Sequence, residues 1–443
     1  MYCPTILSFL YLAGSAVASP WGSQLTGPAA GAHAQVTRRG YAQDGGMRAV
    51  GYYGNWDIYA RKFFVTDIDD SQLTHLIYSF ANVKNDTGEV YLSDEWADLQ
   101  YAYPGDVATN SSEPQMLGNL KQLYLKKKKN RNLKVMLAIL GYTYSPNMVP
   151  VLASAELRAN FVTSAVKLVT DLGLDGLDVD YEYVSSATEA ANMVSLLQDL
   201  RAALDAIPTN TTSSPFVLTC ASPAGPDKYK ILDFPGMDKS LSFWNLMGYD
   251  YSGSWDKITA HSSNLYPDAK SNLSTPFSSE APLQYYVAAG VSPQKINLGM
   301  PLYGRGFANT HGLGQPFNNS GTTAGSYDEA NVWDVKDLPI EGTNATVYNL
   351  KKVGASYSYD AARQYLVSFD TPKNAKIKAE YIEKHGYGGA MWWEISQDRQ
   401  DSNSLIKTVV KSFGGPKRLQ QSLNHLSYPT SKYENLRNGF PHE

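Results

Sequence analysis

Cysteine is almost missing from this chain: only Cys3 and Cys220 occur. Cys3 lies in a leading segment read as a removable signal, so a processed chain holds one thiol and no intrachain disulfide. That excludes a small domain stapled by disulfides and requires a large packed core instead. A length of 443 residues with 43% apolar content can supply one, as a single large barrel or as two to three smaller domains. Net charge is also scarce. A formal value of −4 gives no broad attraction for nucleic acid or for an anionic membrane. No segment after the leader is long and apolar enough to span a bilayer. No glycine-rich phosphate loop follows the first candidate strand, which disfavours a dinucleotide fold. The seven histidines show no paired ligand spacing, so neither a metal nor another cofactor is expected.

What is present points outward from the cell. Residues 6–17 form a short apolar run ending in Ala16-Val17-Ala18, a pattern of secretory signals, giving a signal peptide over 1–18. A Gly/Ala-rich stretch up to Arg38-Arg39 reads as a pro-segment over 19–39, and the expected product is secreted and extracellular. Six Asn-x-Ser/Thr sequons begin at Asn85, Asn110, Asn210, Asn272, Asn318 and Asn344. The single basic run, Lys126 to Arg131, reads as the solvated end of a helix. Cys220 sits in an apolar stretch and reads as a buried, inert thiol. The 31 tyrosines and 8 tryptophans suit sugar stacking, and suit a tyrosine-rich core equally.

Short apolar runs alternate with helical patterns. Candidate strands are 49–53, 76–80, 134–140, 176–183, 216–221, 243–249, 296–301 and 389–393. Candidate helices include 116–128, 155–172, 188–206, 282–289, 376–385 and 402–413. Eight such units predict an α/β chain folded as a closed (β/α)8 TIM barrel. The connection after the seventh strand is too long for a loop and has β-prone pieces at 345–348 and 364–370. It reads as a small α+β insertion between strand 7 and helix 7. The expected domains are the barrel over 45–306, the insertion over 307–372, and the rest of the barrel with a tail over 373–443.

The chemistry is concentrated in Leu174-Asp175-Gly176-Leu177-Asp178-Val179-Asp180-Tyr181-Glu182-Tyr183. Alternate strand residues share a face, so Asp178, Asp180 and Glu182 point one way and Leu177, Val179, Tyr181 and Tyr183 the other. In a barrel the apolar set must meet the helices, which turns the acids inward. Carboxyls about 7 Å apart in a row repel when ionised, so at least one must keep its proton. A general acid needs that property, and Glu182 is nearest the open C-terminal end. A calcium site would draw on loops rich in Asn, Asp and Gly rather than on an apolar-flanked strand.

The Asp-x-x-Asp-x-Asp-x-Glu pattern from Asp175 to Glu182 resembles the signature of glycoside hydrolase family 18, the chitinases. The resemblance runs from about Ala49 to Gly439. It includes Gly51-Tyr52-Tyr53-Gly54-Asn55-Trp56, Leu246-Met247-Gly248-Tyr249-Asp250-Tyr251, Gly299-Met300-Pro301-Leu302-Tyr303-Gly304-Arg305 and Gly389-Ala390-Met391-Trp392-Trp393-Glu394. The closing Leu426-Ser427-Tyr428-Pro429 and Asn438-Gly439 resemble fungal secreted chitinases. The resemblance implies a metal-free, substrate-assisted retaining hydrolysis of chitin or chito-oligosaccharides by a monomer. Glu182 would protonate the glycosidic oxygen, Asp180 would hold the substrate acetamide, and Asp178 would share a proton with Asp180. Tyr249 would bond the acetamide, with Met247 and Asp250 shaping its pocket. Trp393 would floor the sugar; Tyr52, Tyr303, Arg305, Trp255 and Tyr142 would line the cleft. Asp175, off-parity, would brace the strand start, and Trp392 would pack against helices. Arg305 is open to a second role, pairing an acidic cleft wall.

Five positions depart from the family pattern. Ala138-Ile139-Leu140-Gly141-Tyr142 stands where most members read Ser-x-Gly-Gly-Trp, while Tyr181 replaces tryptophan and Val184 proline. The missing hydroxyl at Ala138 should alter the proton equilibrium of Asp178. Leu140 adds bulk, and Tyr142 should weaken stacking on the leaving side. Rival readings are a chitin-binding lectin that has lost cleavage and an endoglycosidase acting on N-linked glycans. Such lectins lack the acid that Glu182 supplies here.

Overall fold

In the computed structural model, residues 45–106, 111–208 and 214–441 are described. The expected signal and pro-segments, Cys3, Asn110 and Asn210 lie outside them. Asn85, Asn272, Asn318 and Asn344 are exposed. Eight parallel strands build the frame: β1 (Arg48–Gly54), β2 (His75–Val83), β3 (Lys134–Leu140), β4 (Gly176–Asp180), β5 (Val217–Ser222), β6 (Phe243–Leu246), β7 (Ile296–Pro301) and β8 (Gly389–Trp393). Each pairs with its sequence neighbours, and β1 pairs with both β2 and β8, which closes the barrel. Helices alternate with the strands where the periodicity places them. The helix Ala155–Leu172 begins after Ser154, whose side chain accepts the Leu157 N–H, and ends at Gly173 with φ of 73°. Among the described residues no helix is long and apolar enough to cross a membrane.

The period-two pattern sorts the two faces as expected. Leu177 and Val179 join the outer core against the helices, whereas Asp178 points inward to Tyr52 and Thr219. The interior is filled by Val50, Tyr52, Ile77, Met136, Ala138, Val217, Phe243 and Met391. Two strands are shorter than their sequence suggests. β4 stops at Asp180 rather than at 183, because the Glu182 N–H leaves the ladder and donates to Ser145 Oγ at 2.8 Å. β6 stops at Leu246 rather than 249, and Asp250 has φ of 57°, incompatible with a continuing strand. Both early exits put chemistry-bearing side chains on the barrel mouth. Beyond β7 lies a separate antiparallel five-stranded sheet in the order Val332–Asp334, Tyr303–Phe307, Tyr365–Ser368, Ala355–Asp360, Thr346–Leu350. Its first strand follows Leu302 directly, so the sheet starts at Tyr303.

The basic run corrects the reading of a solvated helix end. Lys127 is fully buried, 2.8 Å from Asp175 Oδ2, and donates to Gly173 O and Tyr428 Oη. Lys126 pairs with Asp70 at 3.1 Å, Lys128 donates to the carbonyls of Gly439 and Phe440, and Arg131 holds Asn424. Of the run, only Lys129 and Arg131 are exposed, and Arg131 is still held by Asn424. The helix Gly118–Lys129 ends against the bottom of the barrel, where the C-terminal segment also passes, so a cationic end meets carbonyls and carboxylates. Asp175 is the hub: it also accepts the N–H groups of Val135 and His425 at 2.7 and 2.8 Å, bracing the strand start. Burial pushes the Cys220 thiol pKa well up, which keeps it inert.

Removing one partner of a buried ion pair leaves the other charge stranded. Asp175→Ala is expected to lower unfolding free energy by about 3–5 kcal/mol in urea titration. The double change Asp175→Leu/Lys127→Met should recover much of that loss; equal losses in both variants would contradict the clamp.

Candidate active site

At the mouth of β4 the three acids form one row with graded environments. Asp178 is fully buried and accepts Tyr52 Oη at 2.7 Å and Thr219 Oγ1 at 2.5 Å. Burial pushes its pKa up to about 6, and the Thr219 and Tyr52 donors oppose that rise. Asp180 is buried, and its Oδ1 has no hydrogen-bond partner among the described residues. Burial, then the charges of Glu182 and Asp178, raise its pKa well above the usual carboxylate range. Glu182 is half-buried at the rim. Burial lifts it to about 7, the Tyr183 hydroxyl pulls back, the Asp250 charge lifts, and the Tyr142 N–H pulls back. Groups this close titrate as a set. Near neutrality the row therefore holds protons, and one of them faces the cleft.

A second unit comes from the loop after β6 and the strand Tyr303–Phe307. Asp250 accepts Tyr303 Oη at 2.7 Å and a two-pronged Arg305 at 2.9 and 2.7 Å. The Arg305 guanidinium also lies over Trp255, 5.1 Å from the ring centre, and over Tyr303 at 5.2 Å. Of the two roles open to Arg305, pairing the cleft wall is the one this geometry displays. Tyr249 is half-buried, its hydroxyl 3.9 Å from Met391 Sδ, and Met247 packs on the same inner cluster. Gly299 lets that ring in: a Cβ there would stand 2.3 Å from Leu246 O and 3.1 Å from the Tyr249 ring.

Aromatic rings make the floor. Trp393 is half-buried, 5.4 Å from Tyr52, 5.6 Å from Phe80 in a stacked pair, and 6.2 Å from Trp56. Trp392 is fully buried in the outer core, as its parity requires. Tyr142 and Trp255 stand out at 67% and 58% exposure, open to a ligand. All twelve singled-out side chains therefore lie on β1, β4 or β8, or on the segments that follow β3, β4, β6 and β7. Three contributors were not singled out: Thr219, Ser145 and Phe80. Strand parity could have found Thr219, which faces inward from β5. Phe80 was hidden by a register shift between Tyr78 and Ala81, which turns it into the inner cluster. Ser145 sits in an irregular loop and carries no periodic signal.

The departures from the family pattern also have places. Ala138 is fully buried in register with Asp178. Leu140 is fully buried with φ of 90°, a region that glycine enters at no steric cost. Tyr181 packs outward, its hydroxyl 3.3 Å from Glu189.

A closed parallel barrel with an acid row at its C-terminal mouth and an indole floor beside it defines a glycoside hydrolase. The chain belongs to glycosyl hydrolases family 18, whose model matches residues 48–398. It is 43% identical over 394 residues to Endochitinase 1 of Metarhizium robertsii, covering 89% of this chain and 91% of that one. It is 42% identical to Chitinase 1 of Aphanocladium album, covering 92% and 93%. Among solved structures, a chitinase from Bacillus thuringiensis superposes with a TM-score of 0.78 at 27% identity, covering 84% of this chain and 70% of that chain. The catalytic domain of chitinase B from Arthrobacter TAD20 gives 0.76 at 28% identity, covering 86% and 99%.

A carboxyl whose folded pKa is raised holds a proton that the unfolded chain releases near pH 4. Its effect on stability is therefore absent at lower pH and unfavourable as pH rises through the folded value. Glu182→Gln is expected to stabilise the fold by about 1–3 kcal/mol at pH near 8 and negligibly at pH near 4. Melting curves of both proteins at the two pH values check this; a pH-independent difference would contradict it.

Proposed function

We propose that the chain hydrolyses β-1,4 linkages between N-acetylglucosamine units of chitin by a substrate-assisted retaining mechanism, with Glu182 as general acid and then general base. The observation that supports this best is Glu182 at the cleft, its pKa raised by burial to about 7, beside the donorless Oδ1 of Asp180 two residues inward. A carboxyl oxygen that lacks a donor inside the protein suits an N–H brought by the ligand. The acetamide of the sugar supplies one.

In the first step Glu182 gives its proton to the glycosidic oxygen while the acetamide oxygen attacks the anomeric carbon. The bond between that carbon and the leaving oxygen breaks, and a cyclic oxazolinium ion forms. Asp180 accepts from the acetamide N–H, and its negative charge grows as the ring becomes positive, so the contact is strongest in the transition state. Asp178 takes up the proton that Asp180 gives away. Tyr249 donates to the acetamide oxygen and aims it. In the second step the Glu182 carboxylate removes a proton from water, which attacks the same carbon and opens the ring with net retention. Trp393 stacks beneath the sugar, and Arg305 holds Asp250 and Tyr303 as the cleft wall. Chitin-binding lectins of this fold lack the acid, which Glu182 supplies here. The mature chain acts outside the cell as a monomer, in keeping with its leading signal-like run and the four exposed sequons.

Glu182→Gln should lower release of soluble sugar from colloidal chitin by about 10²–10⁴-fold. Equal activity in wild type and variant would remove Glu182 from the chemistry. Because the acid works only while protonated, kcat/KM should fall as pH rises through about 7. A rate still climbing in alkaline buffer contradicts the assignment. Asp180→Asn should reduce kcat more than Tyr142→Ala, which should chiefly raise KM; the reverse order would mean that the two roles are exchanged.

A further inference from the structure

A second buried acidic pair, Asp57 and Glu394, lies apart from the catalytic row. Both are almost fully buried. Each directly follows a floor indole in the chain, as Trp56-Asp57 and Trp393-Glu394, and those indoles stand 6.2 Å apart. The carboxyls meet at Ser396, whose Oγ is 2.6 Å from Glu394 Oε1 and 3.2 Å from Asp57 Oδ1. The Ser396 N–H also donates to Glu394 Oε2 at 2.8 Å, and the Gly54 N–H to Asp57 Oδ2 at 3.0 Å. A hydroxyl has one hydrogen, and at Ser396 the shorter contact takes it. The two carboxyls also bond each other directly, so Asp57 best carries a proton, which Glu394 or the Ser396 hydroxyl accepts.

The surrounding charges do not displace that proton. Arg61 Nε stays 3.8 Å from Asp57 and 3.9 Å from Glu394. Its guanidinium is committed to Asp334, with Glu329 at 3.6 Å and the Tyr327 ring at 4.6 Å. Lys336 is taken by Asp334 and by Ser396 O. Tyr53, the remaining titratable neighbour, donates to Phe63 O. Burial and then the Glu394 charge push Asp57 well above the usual carboxylate range, in agreement with the hydrogen count.

We propose that Asp57 is a positioning residue held as a neutral acid, which through Ser396 and Glu394 fixes Trp56 and Trp393 as a sugar-stacking floor that loosens when the proton leaves. This deepens the proposed function and rests on it. The direction follows from the linkage: the floor is ordered below the raised folded value and is lost as pH climbs through it.

The test uses the full chain carrying Glu182→Gln, so that the catalytic acid no longer titrates. Affinity for a chitin pentasaccharide is read by tryptophan fluorescence from about pH 5 to about pH 9. Its fall across that range should be about fivefold smaller when Asp57→Asn is added, because the amide donates to Ser396 without titrating while the titration of Asp178 and Asp180 is common to both proteins. Glu394→Gln should flatten the profile likewise and decides the matter if Asp57→Asn does not fold. Parallel pH profiles in background and variants would overturn the proposal. Infrared difference spectra of the ligand-free proteins give an independent answer. A protonated-carboxyl stretch lost on alkalinisation should be present in Glu182→Gln and reduced in Glu182→Gln/Asp57→Asn, and undiminished intensity would refute the neutral acid. Failure of the pentasaccharide to bind at any pH would sink the substrate reading, while the infrared result would still judge Asp57.

Discussion

Desolvation of carboxyl groups along one barrel strand and its two ends is the constraint that organises this molecule. Water would stabilise each charge by far more than any single neighbouring dipole can, so a carboxyl taken inside must find a donor, a cation or a proton. The segment from Asp175 to Glu182, with β4 at its centre, uses all three. Asp175 has a lysine and two backbone donors. Asp178 has two hydroxyls. Asp180 has no donor at Oδ1, and Glu182 at the rim retains a proton up to about pH 7.

That gradient separates stability from function on a single strand. At the bottom the charge is compensated, and the helix end, the C-terminal segment and the start of β4 are tied together by it. At the top compensation is withheld, and the row stores free energy that a protonated glycosidic oxygen or an acetamide N–H can release. Barrels place their chemistry at the C-terminal ends of strands because loops there can vary while the bottom is locked. Here the same contrast appears in the side-chain partners of residues only seven positions apart, Asp175 and Glu182. The unpartnered end destabilises the fold, and the large core on both faces of the sheet makes that tolerable.

Periodicity made most of the frame legible. Alternation by two in β4 identified the inward acids, and the bounds of β3, β7 and β8 follow from their apolar runs. What alternation cannot report is where a ladder ends. Glu182 and Asp250 leave their strands because a side-chain hydroxyl and a left-handed backbone replace ladder partners, and both depend on contacts distant in sequence. The same blindness hid Phe80, turned inward by a shifted register. Lys127 was misread for a related reason: a basic run on a helix end looks solvated unless the acid that buries it is known, and Asp175 lies 48 positions away. Asp57 was missed because its partner, Glu394, is at the opposite end of the chain.

The departures on β3 are the remaining strain on the family reading, and magnitudes decide how much they matter. Leu140 sits at φ of 90°, where a side chain costs about 1–3 kcal/mol relative to glycine. Its side chain is fully buried, which contributes about 1.5–3 kcal/mol in return. The two nearly cancel, so the fold does not need a glycine at this turn. The turn itself is pinned from the next residue, where the Gly141 N–H donates to Asp180 O at 2.9 Å. Ala138 acts differently. It removes a hydroxyl opposite Asp178, and Thr219 and Tyr52 still supply donors to both oxygens of that carboxyl. The oxygen left without one is Oδ1 of Asp180. Losing that hydroxyl therefore leaves Asp178 with a donor on each oxygen, and the open acceptor of the row stays at Asp180 Oδ1.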